Sequence, residues 1–321
     1  MSPQTFDLPL RVPFRGLERR QGMVWSGPAG WGEFSPFAEY SPKQCLPWYR
    51  AALEASERGW PPSLRCRVPV NVTVPAVGPD QAAALVANSG GCRTAKVKVA
   101  EAGQDLQADL DRVAAVRAAL GAGGEIRVDA NGAWAVDQAA NNLDQLDKAA
   151  GGLQYAEQPC PTVQELAQLR RLTGVPIAAD ESIRRASDPL AVKRLAAADV
   201  VVLKVQPLGG VRACLELANQ IDLPVVVSSA VETVVGVAAG LALAAALPSL
   251  ELACGLATGH LLAADLAQGV FQVVDGQITA GPPPVDLDLL AAAEASGPIA
   301  AWWQKRLAAV QAIWLQTGGV S

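Results

Sequence analysis

From about residue 66, short runs rich in β-branched residues alternate with longer segments whose apolar residues recur every three or four positions. Runs of this kind, separated by helix-sized segments, are typical of βα units with a parallel sheet. The candidate strands are 68–74, 95–99, 125–129, 153–157, 175–180, 200–205, 223–228 and 250–254. Eight strands with helical crossovers predict an α/β fold, a closed (β/α) barrel of the TIM type.

The alternative to a barrel is an open, doubly wound sheet that binds a dinucleotide. Such a site needs a glycine-rich turn directly after a strand. The glycine cluster at 121–124 instead precedes the candidate strand 125–129, so the barrel is favoured.

The two ends of the chain lack the βα rhythm. Residues 1–65 are rich in proline, glycine and aromatic residues, while 266–321 contain a hairpin-like run, three consecutive prolines and a final helical segment. We predict that these ends form one α+β capping domain over the mouth of a catalytic barrel spanning 66–265.

Composition excludes several classes of protein. Half of the residues are hydrophobic and mean hydropathy is +0.20, which excludes a disordered chain. The net charge of −5 argues against a nucleic-acid partner. Six cysteines occur singly, which predicts neither a zinc site nor disulfides and fits a reducing cytoplasm.

No signal peptide is recognisable at the amino terminus. The most apolar stretch, 234–247, ends at Pro248 and is too short to span a membrane, so we expect a buried helix.

Charged residues close five successive candidate strands. In chain order they are Lys96, Lys98, Asp129, Glu157, Asp180 and Lys204. Because active sites of barrel enzymes lie at the carboxyl ends of the strands, we expect these side chains to converge at one mouth. A barrel built only for stability has no reason to carry this order of charges.

Three converging carboxylates predict a metal site. Asp129, Glu157 and Asp180 would repel one another if they were buried without a cation. Oxygen ligands without a nearby cysteine or histidine favour Mg²⁺, which leaves coordination positions for a substrate carboxylate. A cation there makes the α-proton of a carboxylate substrate more acidic.

The base that removes this proton is predicted to be a lysine, because the chain contains a single histidine, His260. Lys96 and Lys98 are two residues apart on one strand and therefore project to the same face. We expect each to lower the pKa of the other from its ordinary value of about 10.4. Lys204 is predicted to face the substrate from the opposite side.

Simpler interpretations exist for single residues. Asp180 can cap a helix, and Asp129 can belong to a plain turn. For His260, packing or the start of a helix is the leading interpretation, and Trp302 and Trp303 are expected to anchor the terminal helix. Three arginines belong either to a solvated loop or to a lid over an anionic substrate: Arg15, Arg19 and Arg20.

Five sequence motifs resemble the enolase superfamily, within its muconate lactonizing enzyme branch. They are AKVKVA, RVDANGAW, YAEQP, AADES and VVLKVQPLGG, and they span residues 95–210. The resemblance implies a modified TIM barrel with a capping domain, and Mg²⁺ held by Asp129, Glu157 and Asp180. It also implies that Lys98 and Lys204 are catalytic, with Lys96 and Asn131 in support.

Within that branch, the chain is most similar to a lyase of menaquinone biosynthesis. The resemblance implies syn dehydration of 2-succinyl-6-hydroxy-2,4-cyclohexadiene-1-carboxylate, in which Lys98 moves the proton and Lys204 stabilises the enediolate. Arg127 shares a strand face with Asp129 and is expected to pair with a substrate carboxylate. The other expected substrate contacts follow strands seven and eight, at Ser228, Ser229, Gly255 and Thr258.

Other functions stay open from the sequence. A racemase of N-succinylamino acids, or another enzyme of the branch, needs the same two lysines. Outside the superfamily, Lys204 could form a Schiff base in an aldolase barrel, or the barrel could bind a sugar or acid without catalysis. The expected partner is a small-molecule carboxylate substrate, and the sequence leaves the oligomeric state open.

Overall fold

A computed structural model describes residues 2–14 and 16–319 of the chain. The strands are β1 (Gln4–Phe14), β2 (Leu17–Gly27), β3 (Gly30–Phe34), β4 (Arg67–Pro69), β5 (Val72–Val74), β6 (Thr94–Lys98), β7 (Glu125–Asp129), β8 (Tyr155–Glu157), β9 (Ile177–Ala179), β10 (Val200–Leu203), β11 (Val225–Val227) and β12 (Gln277–Thr279).

The helices are α1 (Leu46–Leu53), α2 (Pro79–Ala87), α3 (Leu106–Leu120), α4 (Val136–Ala150), α5 (Val163–Leu169), α6 (Glu181–Arg184), α7 (Ala191–Arg194), α8 (Val205–Leu208), α9 (Val211–Ile221), α10 (Val234–Ala246), α11 (Leu287–Ala292) and α12 (Gly297–Gln316). Side-chain caps fix where several of them begin. Asp105 accepts the amide proton of Ala108 at the start of α3, and Thr162 and Glu165 form a capping box at the start of α5.

Seven parallel strands, β5 to β11, form the barrel sheet in chain order. The predicted eighth strand, 250–254, does not form. Only Cys254 and Gly255 close the barrel, through parallel bridges to Val70 and Ser228. The carbonyl of Ala253 accepts instead from the guanidinium of Arg127, at 2.7 Å, so a side chain takes the place of a strand partner there. The predicted barrel fold is confirmed, with an abbreviated closure.

The capping domain combines the antiparallel sheet β1–β2–β3 with α1 and α12. Its core is aromatic: Phe34 packs edge-on against Trp303 with ring centroids 6.1 Å apart. Trp303 is buried, as expected of an anchor, whereas Trp302 is half exposed and lies beside the guanidinium of Arg306. The predicted cap is therefore present, and both ends of the chain contribute to it.

Part of the carboxyl-terminal segment lies outside the cap. Strand β12 pairs antiparallel with β4, so that Ile278 faces Val68 at the amino-terminal side of the first barrel strand. The predicted first strand, 68–74, is accordingly divided between β4 and β5. The domain limits 1–65, 66–265 and 266–321 stay predictions.

Helix α10 is buried along its whole length, which confirms the interpretation of the apolar stretch 234–247. Within residues 2–14 and 16–319, no helix is both long and apolar enough to cross a membrane.

Candidate active site

The carboxyl ends of β6 to β10 bring together the six charged residues predicted from the strand ends, here called the charged rim. They are Lys96, Lys98, Asp129, Glu157, Asp180 and Lys204. Strand register alone aligns part of this set, because Lys98 lies opposite Asp129 and Asp129 lies opposite Glu157. All six side chains are buried.

A small cavity lies at this mouth, with a free volume of about 20 Å³. Nine predicted residues line it: Lys96, Lys98, Asp129, Asn131, Lys204, Ser228, Ser229, Gly255 and Thr258. Glu157 and Asp180 do not line the cavity but contact its lysines from behind. The sequence-based site is therefore largely assembled in one place.

Lys98 is held by one residue at the end of β7 and one in the turn that follows it. Its Nζ donates to Oδ2 of Asp129 at 2.9 Å and to the side-chain oxygen of Asn131. Asn131 has a left-handed backbone (φ +48°), a conformation that asparagine tolerates better than most residues. The side-chain nitrogen Nδ2 of Asn131 also donates to Glu181, so Asn131 fixes the position of the Lys98 amine.

Lys96 occupies a different environment from the one predicted. Its Nζ donates to Glu157 at 3.0 Å and to Asp129 at 3.2 Å. Burial alone would lower the pKa of Lys96, but these two carboxylates outweigh burial and raise it above its ordinary value. The prediction that proximity to Lys98 lowers the pKa of Lys96 is therefore wrong, because adjacent carboxylates outweigh the second lysine.

On the other side of the rim, Lys204 donates to Oδ2 of Asp180 at 2.6 Å. Arg184 donates to the second oxygen of the same carboxylate at 2.9 Å. Burial lowers the pKa of Lys204, and the charge of Arg184 adds to this effect against the opposing pull of Asp180. Burial disfavours the Asp180 carboxylate, yet Arg184 and Lys204 hold its pKa below the usual range.

Glu157, the central carboxylate of the rim, lies where its charged form is disfavoured. Burial and repulsion by Asp129 raise its pKa to about 7, although Lys96 opposes the shift. Asp129 behaves oppositely, because Lys98 and Lys96 overcome its burial and keep its pKa below the usual range. The rim thus has one carboxylate whose charge is poorly compensated.

The rim carboxylates fit a hard divalent cation in chemistry, though not as a preformed cluster. Within the described residues, 2–14 and 16–319, no three acidic, cysteine or histidine side chains are grouped to hold a metal ion. Each carboxylate instead accepts from a lysine or arginine. Three buried oxygen donors on adjacent strands, with Glu157 short of compensating charge, are the donor set that Mg²⁺ prefers.

Arg127 is not brought to the cavity. It is fully buried inside the barrel, where it donates to Gln154 at 2.6 Å and to Ala253 at 2.7 Å, and stacks on Tyr155. It shares a face with Asp129, as predicted, but it lies two residues earlier on the strand and therefore deeper in the barrel. Its position gives no support to the predicted substrate contact.

The two described arginines of the predicted loop or lid, Arg19 and Arg20, do not line the cavity, and an aromatic residue does. Arg15 lies outside the described residues, Arg19 pairs with Asp7 at 2.7 Å, and Arg20 is buried against the carbonyl of Val231. Phe14, at the tip of the β1–β2 hairpin, covers the cavity instead, with its ring centroid 5.6 Å from Nζ of Lys98. The cavity beneath holds about one water molecule, so it must widen to admit a substrate.

His260 lies behind the cavity wall. Its Nδ1 is 2.8 Å from the carbonyl of Ala257 and its Nε2 is 3.2 Å from that of Thr73. Burial lowers its pKa. These contacts agree with the packing interpretation of His260.

The sequence matches known proteins along almost its whole length. Residues 79–284 match the family described as enolase C-terminal domain-like, and residues 5–56 match enolase N-terminal domain-like. The chain is 58% identical over 316 residues to the o-succinylbenzoate synthase of Thermobifida fusca (strain YX), with 98% of each chain covered. The chain belongs to the o-succinylbenzoate synthase family of the enolase superfamily. It is also 52% identical to the o-succinylbenzoate synthase of Mycobacterium ulcerans (strain Agy99), covering 95% of this chain and 92% of that one.

Solved structures show the same fold at low sequence identity. The muconate lactonizing enzyme from Pseudomonas fluorescens, complexed with muconolactone, has a TM-score of 0.78 at 19% identity and covers 91% of this chain and 98% of its own. The L-Ala-D/L-Glu epimerase from Bacillus subtilis has a TM-score of 0.74 at 21% identity, with coverage of 88% and 96%. These structures confirm the predicted fold, and the family matches confirm the predicted superfamily.

Four residues that line the cavity of this o-succinylbenzoate synthase family member were missed by the sequence reasoning: Phe14, Thr73, Ala230 and Val231. Thr73 could have been found, because it lies in the first candidate strand. Phe14 and Val231 meet only through the packing of the cap on the barrel, which no local pattern records.

Proposed function

We propose that this chain is a Mg²⁺-dependent o-succinylbenzoate synthase acting in menaquinone biosynthesis. In the proposed reaction, 2-succinyl-6-hydroxy-2,4-cyclohexadiene-1-carboxylate loses water to become o-succinylbenzoate. The observation that carries the proposal is one buried cavity lined by both Lys98 and Lys204, each paired with an aspartate, in a chain 58% identical to an enzyme of that name. We further propose that the enzyme acts in the cytoplasm on this small carboxylate.

Asp129, Glu157 and Asp180 would hold Mg²⁺ in the proposed enzyme. When bound, the ion supplies a positive charge near the substrate carboxylate and makes the adjacent α-proton more acidic. Lys96 donates to Asp129 and Glu157, and Lys98 donates to Asp129. Both ammonium groups would therefore have to give up part of these hydrogen bonds when the ion binds. Lys96 would then be a supporting residue.

Lys98 is the proposed proton-transfer residue. Its neutral amine takes the α-proton, and the electron pair of the broken C–H bond is first delocalised towards the substrate carboxylate. That pair then forms a ring double bond as the C–O bond to the hydroxyl group breaks. The proton then passes from Lys98 to the departing hydroxyl, which leaves as water. One lysine serving both steps requires that proton and hydroxyl leave from the same face, a syn elimination.

Lys204 supports the proposal from the opposite end of the rim. A buried ammonium group beside Asp180 offers fixed positive charge to the anion that develops in the substrate. The Asp180–Arg184 ion pair holds Asp180 in place independently of Lys204. Asn131 would position Lys98.

The test is direct turnover of the purified chain. With Mg²⁺ and the cyclohexadiene substrate, we expect the cyclohexadiene absorbance to disappear as o-succinylbenzoate forms. A chelator should abolish turnover, and added Mg²⁺ should restore it. Turnover that persists with chelator present would overturn the metal assignment, and no turnover by the wild type would overturn the proposed reaction.

A second arm distinguishes the racemase alternative. N-succinylamino acids are incubated with the chain in heavy water, and α-deuterium is measured by NMR. The proposal expects slow exchange or none relative to dehydration. Exchange faster than dehydration would assign the chain to racemisation, and borohydride trapping of Lys204 would instead indicate an aldolase.

A further inference from the structure

The segment that follows β11, residues 228–232, forms one wall of the cavity and is here called the β11 loop. Ser228, Ser229 and Val231 line the cavity, whereas Glu232 is buried behind them. Of these residues, only the two serines were predicted to bind substrate. Their hydroxyl groups differ in how they are hydrogen-bonded within the protein.

The hydroxyl of Ser229 is fully used within the protein. Its proton goes to Oε2 of Glu232 at 2.6 Å, because a carboxylate can only accept. Its oxygen accepts from the amide of Val231 at 2.8 Å and from the hydroxyl of Thr258 at 3.0 Å. A serine hydroxyl has one donor and two acceptor positions, so none is left for a ligand.

Ser228 is in the opposite situation. Among the described residues, its side-chain hydroxyl has no hydrogen-bond partner, although it lines the cavity. Gly255 makes room for it, since a side chain at 255 would place its Cβ 2.6 Å from the Ser228 oxygen. Ser228 therefore keeps its hydrogen-bonding capacity for a ligand.

Glu232 also holds the backbone of the loop. The same carboxylate oxygen accepts the amide proton of Ala230 at 2.5 Å. Val231 has a left-handed backbone (φ +62°), which is unfavourable for a β-branched residue. Its amide is fixed through Ser229, and its carbonyl accepts from Arg20 of the cap at 3.0 Å. Such a conformation persists only where its surroundings enforce it.

We propose that Glu232 is a positioning residue: by holding Ser229 and Val231 it fixes the β11 wall for substrate binding and leaves Ser228, not Ser229, to contact the substrate. This inference rests on the proposed dehydratase function. Glu232 touches no reacting group itself, so its loss should weaken substrate binding without slowing proton transfer.

The primary test compares Glu232→Ala with Glu232→Gln. The alanine variant loses the acceptor for Ser229 and Ala230, and we expect KM to rise about tenfold while kcat stays within about threefold. The glutamine variant keeps an acceptor oxygen and should restore KM to within about threefold of wild type. A fall in kcat that matches the rise in KM, or a glutamine variant as impaired as alanine, would overturn the proposal.

The matched control is Glu54→Ala. Glu54 is another buried carboxylate that joins cap to barrel, accepting from the amides of Val211 and Arg212, but it lies outside the cavity. We expect a loss of stability similar to that of Glu232→Ala and an unchanged KM. A similar rise of KM in both variants would make the effect a general consequence of loosening the cap.

Double variants test which serine meets the substrate. Ser229→Ala alone should raise KM about threefold or more, and should add nothing in the Glu232→Ala background, because the two residues act as one unit. Ser228→Ala should add its full effect in that background. The reverse pattern would assign the contact to Ser229. Ser229→Ala also serves if Glu232→Ala fails to fold.

The two proposals fail in distinguishable ways. If wild type does not turn over the cyclohexadiene substrate, the proposed function fails, and amide hydrogen exchange of residues 229–233 still tests the role of Glu232. We expect faster exchange in Glu232→Ala and wild-type exchange in Glu232→Gln. Unchanged exchange in Glu232→Ala would overturn the positioning role whatever the reaction is.

Discussion

The charged rim and the β11 loop face the same cavity but are built in opposite ways. The rim places ammonium groups directly on carboxylates, as in Lys98–Asp129 and Lys204–Asp180. The β11 loop presents hydroxyl groups and keeps its own carboxylate, Glu232, behind them. Both are buried, so the difference lies in which groups a ligand can reach.

This difference indicates a division of labour. In the proposed reaction, the groups that gain, lose or offer charge lie at the ends of adjacent barrel strands, where strand register fixes their spacing. Groups that only shape the cavity lie on a loop, whose conformation has to be imposed by buried partners such as Arg20 and Glu232. Substitutions in the rim should therefore change kcat, and substitutions in the loop should change KM.

After Lys98→Ala, the largest effect within this comparison is expected for Lys204→Ala. Removing the buried charge that is proposed to stabilise the developing anion should lower kcat by about 10²- to 10³-fold with a smaller change in KM. Asp180 keeps its ion pair with Arg184, so the fold should persist. Steady-state kinetics with Lys204→Arg as the charge-retaining control measure this, and a kcat within tenfold of wild type would remove Lys204 from the chemistry.

The start of α10, directly after the β11 loop, should respond to pH through Glu33. Glu33 accepts from Thr233 and from the amide of Gly236, and burial together with repulsion by Glu232 raises its pKa to about 7. Since this lies above the ordinary value of 4.5, its contribution to stability is complete below pH 4.5 and is lost as pH rises through about 7.

Relative to Glu33→Gln, the free energy of unfolding of wild type should therefore fall by about 3 kcal/mol between pH 4.5 and 7.5. Urea unfolding of both proteins across this range provides the measurement. Glu157 is present in both, so its own titration cancels in the difference. Parallel stability curves would show that Glu33 does not keep its proton on folding.

A smaller effect than those in the rim is expected for Ser228→Ala. Loss of one hydrogen bond to the substrate should raise KM about tenfold and leave kcat within about threefold. Ser89→Ala is the control, because its hydroxyl accepts from the amide of Cys92 outside this cavity. If kcat falls and KM does not change, the division between rim and loop is wrong.

The rim could be predicted from the sequence because its geometry is local. Each residue closes an apolar strand, and parallel strands deliver their carboxyl ends to one mouth. The same reasoning did not predict that Arg127 lies away from the cavity, since sharing a strand face does not fix depth in the barrel. It also failed for Lys96, whose pKa depends on Glu157 and Asp129 from two other strands.

The loop and the lid could not be predicted because they depend on contacts between distant segments. Arg20 meets Val231 across 211 positions of sequence, and Phe14 meets Val231 only when the cap covers the barrel. The short barrel closure at Cys254 and Gly255 is a further case, because the guanidinium of Arg127 on β7 donates to the backbone carbonyl of Ala253 there.

The central claim is that Lys98 moves the proton. The most direct measurement is kcat of Lys98→Ala, followed by loss of cyclohexadiene absorbance with Mg²⁺ present, after thermal unfolding has confirmed that the variant folds. Because Asp129 retains Lys96 as a partner, we expect an intact fold and a fall in kcat of about 10³- to 10⁴-fold. A folded Lys98→Ala variant with a tenth or more of wild-type kcat would contradict the account.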